Sequence, residues 1–297
     1  MALRQAPGGP AKLEEKLWQV SDPASERYQD FLSNAEIDEL VRTPAADMQA
    51  VLAWLAGEGV PASRIEARSD SLLVNTNVST VERLFATSIF IYVHSSGHMI
   101  LRNFGPFSVP QSLADAVEMT EGITDFPMHR SSSRRHAESP SSANVVPESL
   151  AKLYSFGETP VSASAKQMPA EFQNDAAFSP SDLTAFFKGV ALPAQTDRHR
   201  VGPFDDDVPD VEATLDTQYI TAVGLGVTNW YWTSEGWMYT FANNLYNHDG
   251  APNVVSMSWG WAEDQQCSIS NECSTIGVKS EQYVSRVNVE FMKLGLK

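Results

Sequence analysis

Glu212 and Asp216 stand four residues apart in the stretch VEATLDTQYI. On a helix this spacing puts both carboxylates on one face, with Cβ atoms about 6 Å apart. Two close carboxylates repel, one can hold a proton between them, and their proton affinities separate. That suits a carboxylate base tuned by a second acid behind it. The spacing alone is a weak signal. With 37 acidic residues in 297 positions, about four or five such pairs arise by chance, most on solvated helix faces. From spacing alone, a solvated pair and a catalytic pair both remain open.

The other residues with chemical potential are less pointed. Asp205, Asp206, Asp207 and Asp210 form an acidic cluster. Its spacing matches no calcium loop and it has no glycine at the turn position, so it reads first as a solvated loop. The histidines His94, His98, His129, His136, His199 and His248 show no metal-type spacing. Cys267 and Cys273 are the only cysteines, in CSISNEC. Their separation in a Ser/Asn-rich loop suits a small local disulfide; two free thiols are the alternative. Two ligands with no nearby histidine are too few for zinc. Trp230, Trp232, Trp237 and Trp259 are dense for a short region. They read as core and sheet packing or as the wall of a peptide-binding cleft. Asn77-Val78-Ser79 is a glycosylation sequon, usable only in a secreted protein.

Composition bounds the elements that must position these groups. The formal charge of −16 argues against nucleic-acid or anionic-membrane partners, because like charge repels a phosphate surface. It suits a protein working at low pH. A hydrophobic fraction of 42% excludes wholesale disorder. No apolar run approaches the ~18 residues of a membrane span. The opening MALRQAPGGPAKLEEKLW lacks the apolar core of a signal peptide.

Three segments emerge. Residues 1–127 read as one α+β unit. It has a helix from Asn34 to Val41 capped by Ser33 with Glu36, a helix after Pro44, and a helix capped by Ser79 with Glu82. Short strands are expected near 63–67 and 71–74, and a hairpin joins 89–94 to 99–102. The first four residues look like a cut-short strand entering a Gly/Pro turn. Residues 128–146, MHRSSSRRHAESPSSANVV, have linker composition and a basic knot at Arg130, Arg134 and Arg135. They read as a solvated linker or as a protease-sensitive hinge. Residues 147–297 read as the start of an α/β domain with a parallel sheet. Helices are expected at 147–154, 180–187, 211–223, 235–247 and 280–294. A β-like run covers 224–232, and a buried strand covers 253–260. In the helix over 211–223, Leu215, Tyr219 and Ile220 form the apolar set.

The run LWQVSDPASERYQDFLSNAEIDELV resembles the opening of the prodomain of the sedolisins, the serine-carboxyl peptidases. The likeness continues through MQAVLAWLAGEGV, LLVNTNVSTVERLF and FGPFSVPQSLADAV. PESLAKLYSFG then resembles the start of the mature enzyme, NVVSMSWG a core strand, and YVSRVNVEFMKLGLK a late helix. The tripeptidyl-peptidase branch is the nearest in pattern.

The resemblance implies an activation prodomain over 1–127, a linker with the processing region over 128–146, and the first part of a peptidase domain over 147–297. It implies a ferredoxin-like α+β prodomain with an antiparallel sheet, followed by an incomplete subtilisin-like parallel α/β domain. It makes Glu212 the general base and Asp216 the acid that orients it. The family's S-G-D-x-G and G-T-S-x-S motifs, which bear the oxyanion Asp and nucleophilic Ser, do not occur in this chain. The chain alone is therefore expected to be inactive, with no cofactor of its own. The family's calcium site is expected downstream. A serine-type peptidase precursor acting on peptides at acidic pH is the implied function. The alternative is an inactive fragment serving as inhibitor or folding aid. Implied partners are peptide or protein substrates and the prodomain packed on the catalytic part. The implied location is extracellular or lysosomal/vacuolar.

Overall fold

The computed structural model describes residues 1–93, 99–124, 145–156, 161–172, 177–196, 198–269 and 278–297. Most of the 128–146 linker, the hairpin turn with His94 and His98, and Cys273 lie outside those residues.

The chain opens with strand β1 (Ala2–Leu3) and helix α1 (Gly9–Ser21). The Gly/Pro turn is brief. Gly8 takes a left-handed φ of 74° at the N-cap, and proline occupies the helix's first turn, where its missing N–H costs nothing. A side chain at Gly9 would collide with the Leu40 carbonyl, so glycine lets the start of α1 lie against that backbone. Helices α2 (Asn34–Val41) and α3 (Ala45–Gly57) follow. Ser33 and Glu36 close the expected capping box on α2. Strands β2 (Ile65–Ala67) and β3 (Leu72–Val74) pair antiparallel, as do β4 (Phe90–Val93) and β5 (Met99–Arg102). β6 (Val117–Met119) pairs antiparallel with β1, and a bridge from Ala2 to Ser71 links β1 toward β3. Helix α4 (Val78–Leu84) departs from expectation at its start. Asn77, not Ser79, is the N-cap, and its Oδ1 accepts from the Thr80 amide at 2.9 Å. Asparagine's carbonyl reaches that amide, and Ser79 instead donates to the same oxygen at 2.8 Å.

Beyond the linker come α5 (Pro147–Tyr154), β7 (Lys166–Phe172), α6 (Pro180–Gly189), β8 (His199–Val201), α7 (Val211–Val223) and β9 (Thr228–Ser234). Then follow α8 (Met238–Tyr246), β10 (Val254–Ser256), the single turn α9 (Gln266–Ile269) and α10 (Ser280–Leu296). The sheet order is β10-β7-β9-β8, with every pair parallel. β7 carries Pro169, which has no N–H for a ladder. Its pairing with β9 skips Met168 and Pro169 and resumes at Ala170. Two expectations fail here for physical reasons. β10 is not a buried strand over 253–260. It is a short edge strand, bonded on one side only, and Val254 is 58% exposed. Leu215 is not core either: α7 buries Ala213, Thr214, Thr217, Thr221 and Ala222, and its packing against β7 selects these small side chains.

The chain forms two compact units. One combines residues 1–126 with 238–247 and 261–297, so α8 and α10 pack with the N-terminal elements. Within it, Leu13, Val20, Ile37 and Val41 share a core with Tyr246, Val289 and Leu296. A second core there unites Leu3, Val51, Leu55, Leu72, Phe85 and Phe107. The other unit holds residues 127–237 and 248–260, and therefore the whole parallel sheet. Its core joins Phe178, Leu183, Phe187, Ala213 and Tyr231.

Candidate active site

Helix α7 begins at Asp210, whose Oδ1 accepts from the Glu212 amide at 2.7 Å and the Ala213 amide at 3.2 Å. A capping carboxylate satisfies the orphan donors of the first turn and suits the positive end of the helix dipole. That cap fixes where α7 starts, and so places Glu212 in its first turn and Asp216 one turn on. Both side chains are half-buried on one face. Tyr219, three residues further along, donates its hydroxyl to the Val145 carbonyl at 2.6 Å.

Asp216 Oδ2 accepts from Ser258 Oγ at 2.5 Å. Ser258 follows β10 at the carboxyl end of the parallel strands, where open α/β sheets place their ligand crevices. Its neighbour Trp259 donates Nε1–H to Glu171 Oε2 at 3.0 Å. Glu171 is the penultimate residue of β7 and is fully buried. The ring of Phe172 lies 5.1 Å from that of Trp237 and 6.1 Å from that of Trp259, both edge-on. The carboxyl end of the sheet thus gathers carboxylates from α7 and β7, with a hydroxyl and an indole from the Ser258-Trp259 step between them. This set can hold, share and orient a proton. Glu171 and Ser258 gave no signal in sequence, because each comes from a separate strand end.

The remaining sequence candidates are distributed as follows. The acidic run is committed locally: Asp206 pairs with Arg200 at 2.7 Å, Asp205 accepts from the Asp207 amide at 3.2 Å, and Asp210 is the helix cap. No group of three or more His, Cys, Asp or Glu able to hold a metal ion occurs among the described residues. Cys267 is disulfide-bonded. The tryptophans split into two sets. Trp237 and Trp259 flank Phe172. Trp230 and Trp232 lie on the sheet face opposite Tyr231, which packs toward Phe178, and they meet His248 at 5.5 and 5.3 Å. His199 stacks on Trp230 at 4.1 Å.

Residues 1–126 match the family model for the pro-kumamolisin activation domain. Over nearly its whole length the chain is similar to peptidases of the sedolisin family. It is 34% identical over 286 residues to physarolisin of Physarum polycephalum, an alignment covering 95% of this chain and 49% of that protein. It is 28% identical over 307 residues to tripeptidyl-peptidase 1 of Rattus norvegicus, covering 95% and 51%. The human tripeptidyl-peptidase 1 is 27% identical over 317 residues, covering 98% and 52%. The chain spans about half the length of the curated relatives it matches.

Proposed function

We propose that this chain is the prodomain and leading catalytic part of a serine-type peptidase that cleaves peptides at acidic pH. Glu212 is the base that takes the proton of a serine hydroxyl, and Asp216 is the acid that orients it. The observation that carries this reading is the Glu212–Asp216 face of α7, capped by Asp210 and joined through Ser258 to the carboxyl edge of the sheet. A carboxylate base stays largely available near pH 4, where histidine is protonated. The Tyr219 hydroxyl adds support, because it ties the end of the linker, at Val145, to the helix that bears the pair. Neither the nucleophilic serine motif nor the oxyanion aspartate motif is present in these 297 residues. Both, with the calcium site, belong by this reading to sequence outside the chain. Release of tripeptides and an extracellular or lysosomal setting are part of the same proposal, supported by the similarity to tripeptidyl-peptidase 1.

The test is peptide hydrolysis at acid pH by this chain and by a C-terminally extended form. The extended form is expected to cleave, and Glu212→Gln to lower its kcat by about 10²–10⁴. Full activity in Glu212→Gln would overturn the reading.

A second reading has its own observation. Helices α1 and α2 share a core with α8 and α10. That suits a segment that helps later chain to fold, or that occupies the matching surface of an intact peptidase.

A further inference from the structure

We propose that Ser258 is a positioning residue for the carboxyl pair: its hydroxyl commits Asp216 Oδ2 as an acceptor and leaves Oδ1 to carry any proton the pair shares. The proposal rests on the carboxylate-base reading above.

Asp216 can face the pair with either oxygen, and a shared proton can sit on either. A hydroxyl donating to one oxygen removes that freedom, because an oxygen accepting a hydrogen bond is the poorer place for a proton. Ser258 Oγ holds Oδ2 at 2.5 Å from 42 positions away in sequence. The serine is itself exposed, so its value depends on how firmly its backbone is held. Two anchors hold it. Two residues earlier, Ser256 is in register with Pro169 in the parallel ladder. One residue later, Trp259 is hydrogen-bonded to the fully buried Glu171 at 3.0 Å and packs edge-on against Phe172. A side chain fixed on both sides pays its ordering cost in folding, and its hydroxyl is then pre-placed for Asp216.

Glu212 lies one turn before Asp216 on α7, Tyr219 lies less than one turn after it, and Ser258 reaches it from the sheet. Ser258 is the neutral donor of that set with a direct hydrogen bond to Asp216. Its loss should therefore register on Asp216 before any other carboxyl.

The test uses the chain as it stands, with ¹³C-labelled Asp and Glu carboxyls followed by NMR from about pH 7 to about pH 3. In Ser258→Ala the Asp216 midpoint should rise by about half a pH unit or more, because the ionised form loses a donor. Ser258→Thr, which keeps the hydroxyl, should follow the unsubstituted chain. An unmoved Asp216 midpoint in Ser258→Ala would overturn the proposal, as would an equal shift in Ser258→Thr. A matching shift of the Glu171 carboxyl in Ser258→Ala would also overturn it, since displacement of the loop would then be the cause. Hydrolysis bears only on the peptidase reading. An extended chain inactive at every pH would remove that reading and leave these titrations as they are.

Discussion

Arg286 Nη2 lies 3.0 Å from Asp70 Oδ2, with the two side chains only 2% and 1% exposed and 216 positions apart in sequence. Lys293 reaches the same carboxylate at 3.1 Å and Glu290 at 2.6 Å. Asn243 of α8 donates to Glu290 at 3.0 Å, and Gln5 donates to Asp70 at 2.7 Å. Asp70 thus ties the N-terminal elements to α10 inside one compact unit.

Replacing Asp70 by Asn should be severe. Arg286 and Lys293 would stay enclosed without their main counter-charge, and breaking a buried pair from one side costs about 3–5 kcal/mol. The urea midpoint of the full chain should fall accordingly. Asp47→Asn, which breaks the exposed Arg4–Asp47 pair, should leave it unchanged. Equal midpoints for the two variants would show that the buried cluster contributes nothing special.

The same cluster sets a pH dependence whose sign can be worked out. Burial pushes the Glu290 carboxyl up, and neighbouring Asp70 adds to that, against the pull of Lys293 and Arg286. Burial likewise pushes Glu118 up, at the rim 3.6 Å from Arg286 Nε. Asp70 goes the other way. Burial would raise it, but Arg286, Lys293 and the Gln5 hydrogen bond hold it down to about 2. As pH falls from neutral, folded Glu290 and Glu118 bind protons before the unfolded chain does, so stability rises. Below about pH 4 the unfolded chain protonates its Asp70 first, and stability is lost as pH falls toward 2. The Tm of the full chain should therefore peak at about pH 4–5. Glu290→Gln should flatten the rise on the neutral side. A steady fall of Tm from pH 7 to 4.5 would contradict this assignment of sign.

How much of this was legible in sequence depends on where the information lies. Helix α7 was readable end to end, from Val211 to Val223, because its spacing and flanks are local. That Glu212 and Asp216 share one face of this helix was readable for the same reason, whereas the role proposed for them came only from the family resemblance. β7 was not, because Pro169 in KQMPAEF argues against a central strand, and only the skipped pairing with β9 accommodates it. α1 was masked by Gly8-Gly9-Pro10, which reads as a turn until the proline is seen to occupy the first helical turn. Arg286, Glu290 and Lys293 show the limit most clearly. Their spacing along α10 is that of a solvated, salt-bridged helix face. They are buried because Asp70 meets them from far away in the chain, and no local pattern encodes that.

Gly202 makes a sharper local test. Its φ is +94°, and an added Cβ would collide with the Thr233 carbonyl on β9. Thr233 also donates to the Pro203 carbonyl at 2.5 Å, so the backbone after β8 lies hard against the end of β9. Gly202→Ala should lower stability by more than about 2 kcal/mol, through strain and clash together. Gly189→Ala, at the end of α6 where a Cβ meets open space, should be nearly neutral. Denaturation of the two variants side by side would separate them, and a neutral Gly202→Ala would mean that β8 sits further from β9 than described.

The Trp259–Glu171 bond carries the last prediction. Glu171 is fully buried, so each donor to its carboxylate offsets part of a large desolvation cost. Trp259→Phe keeps the aromatic packing on Phe172 and removes the Nε1–H. It should destabilise the chain by about 1.5–3 kcal/mol, the range for a hydrogen bond to a charged group. Glu171→Gln in the same background should recover part of that loss, because a neutral amide is cheaper to leave under-bonded than a carboxylate. The two substitutions should therefore be non-additive in a double-mutant cycle read by urea unfolding, with a coupling above about 0.5 kcal/mol. Strict additivity would mean that the indole and the carboxylate act independently. The Ser258-Trp259 step would then lose its anchor on β7.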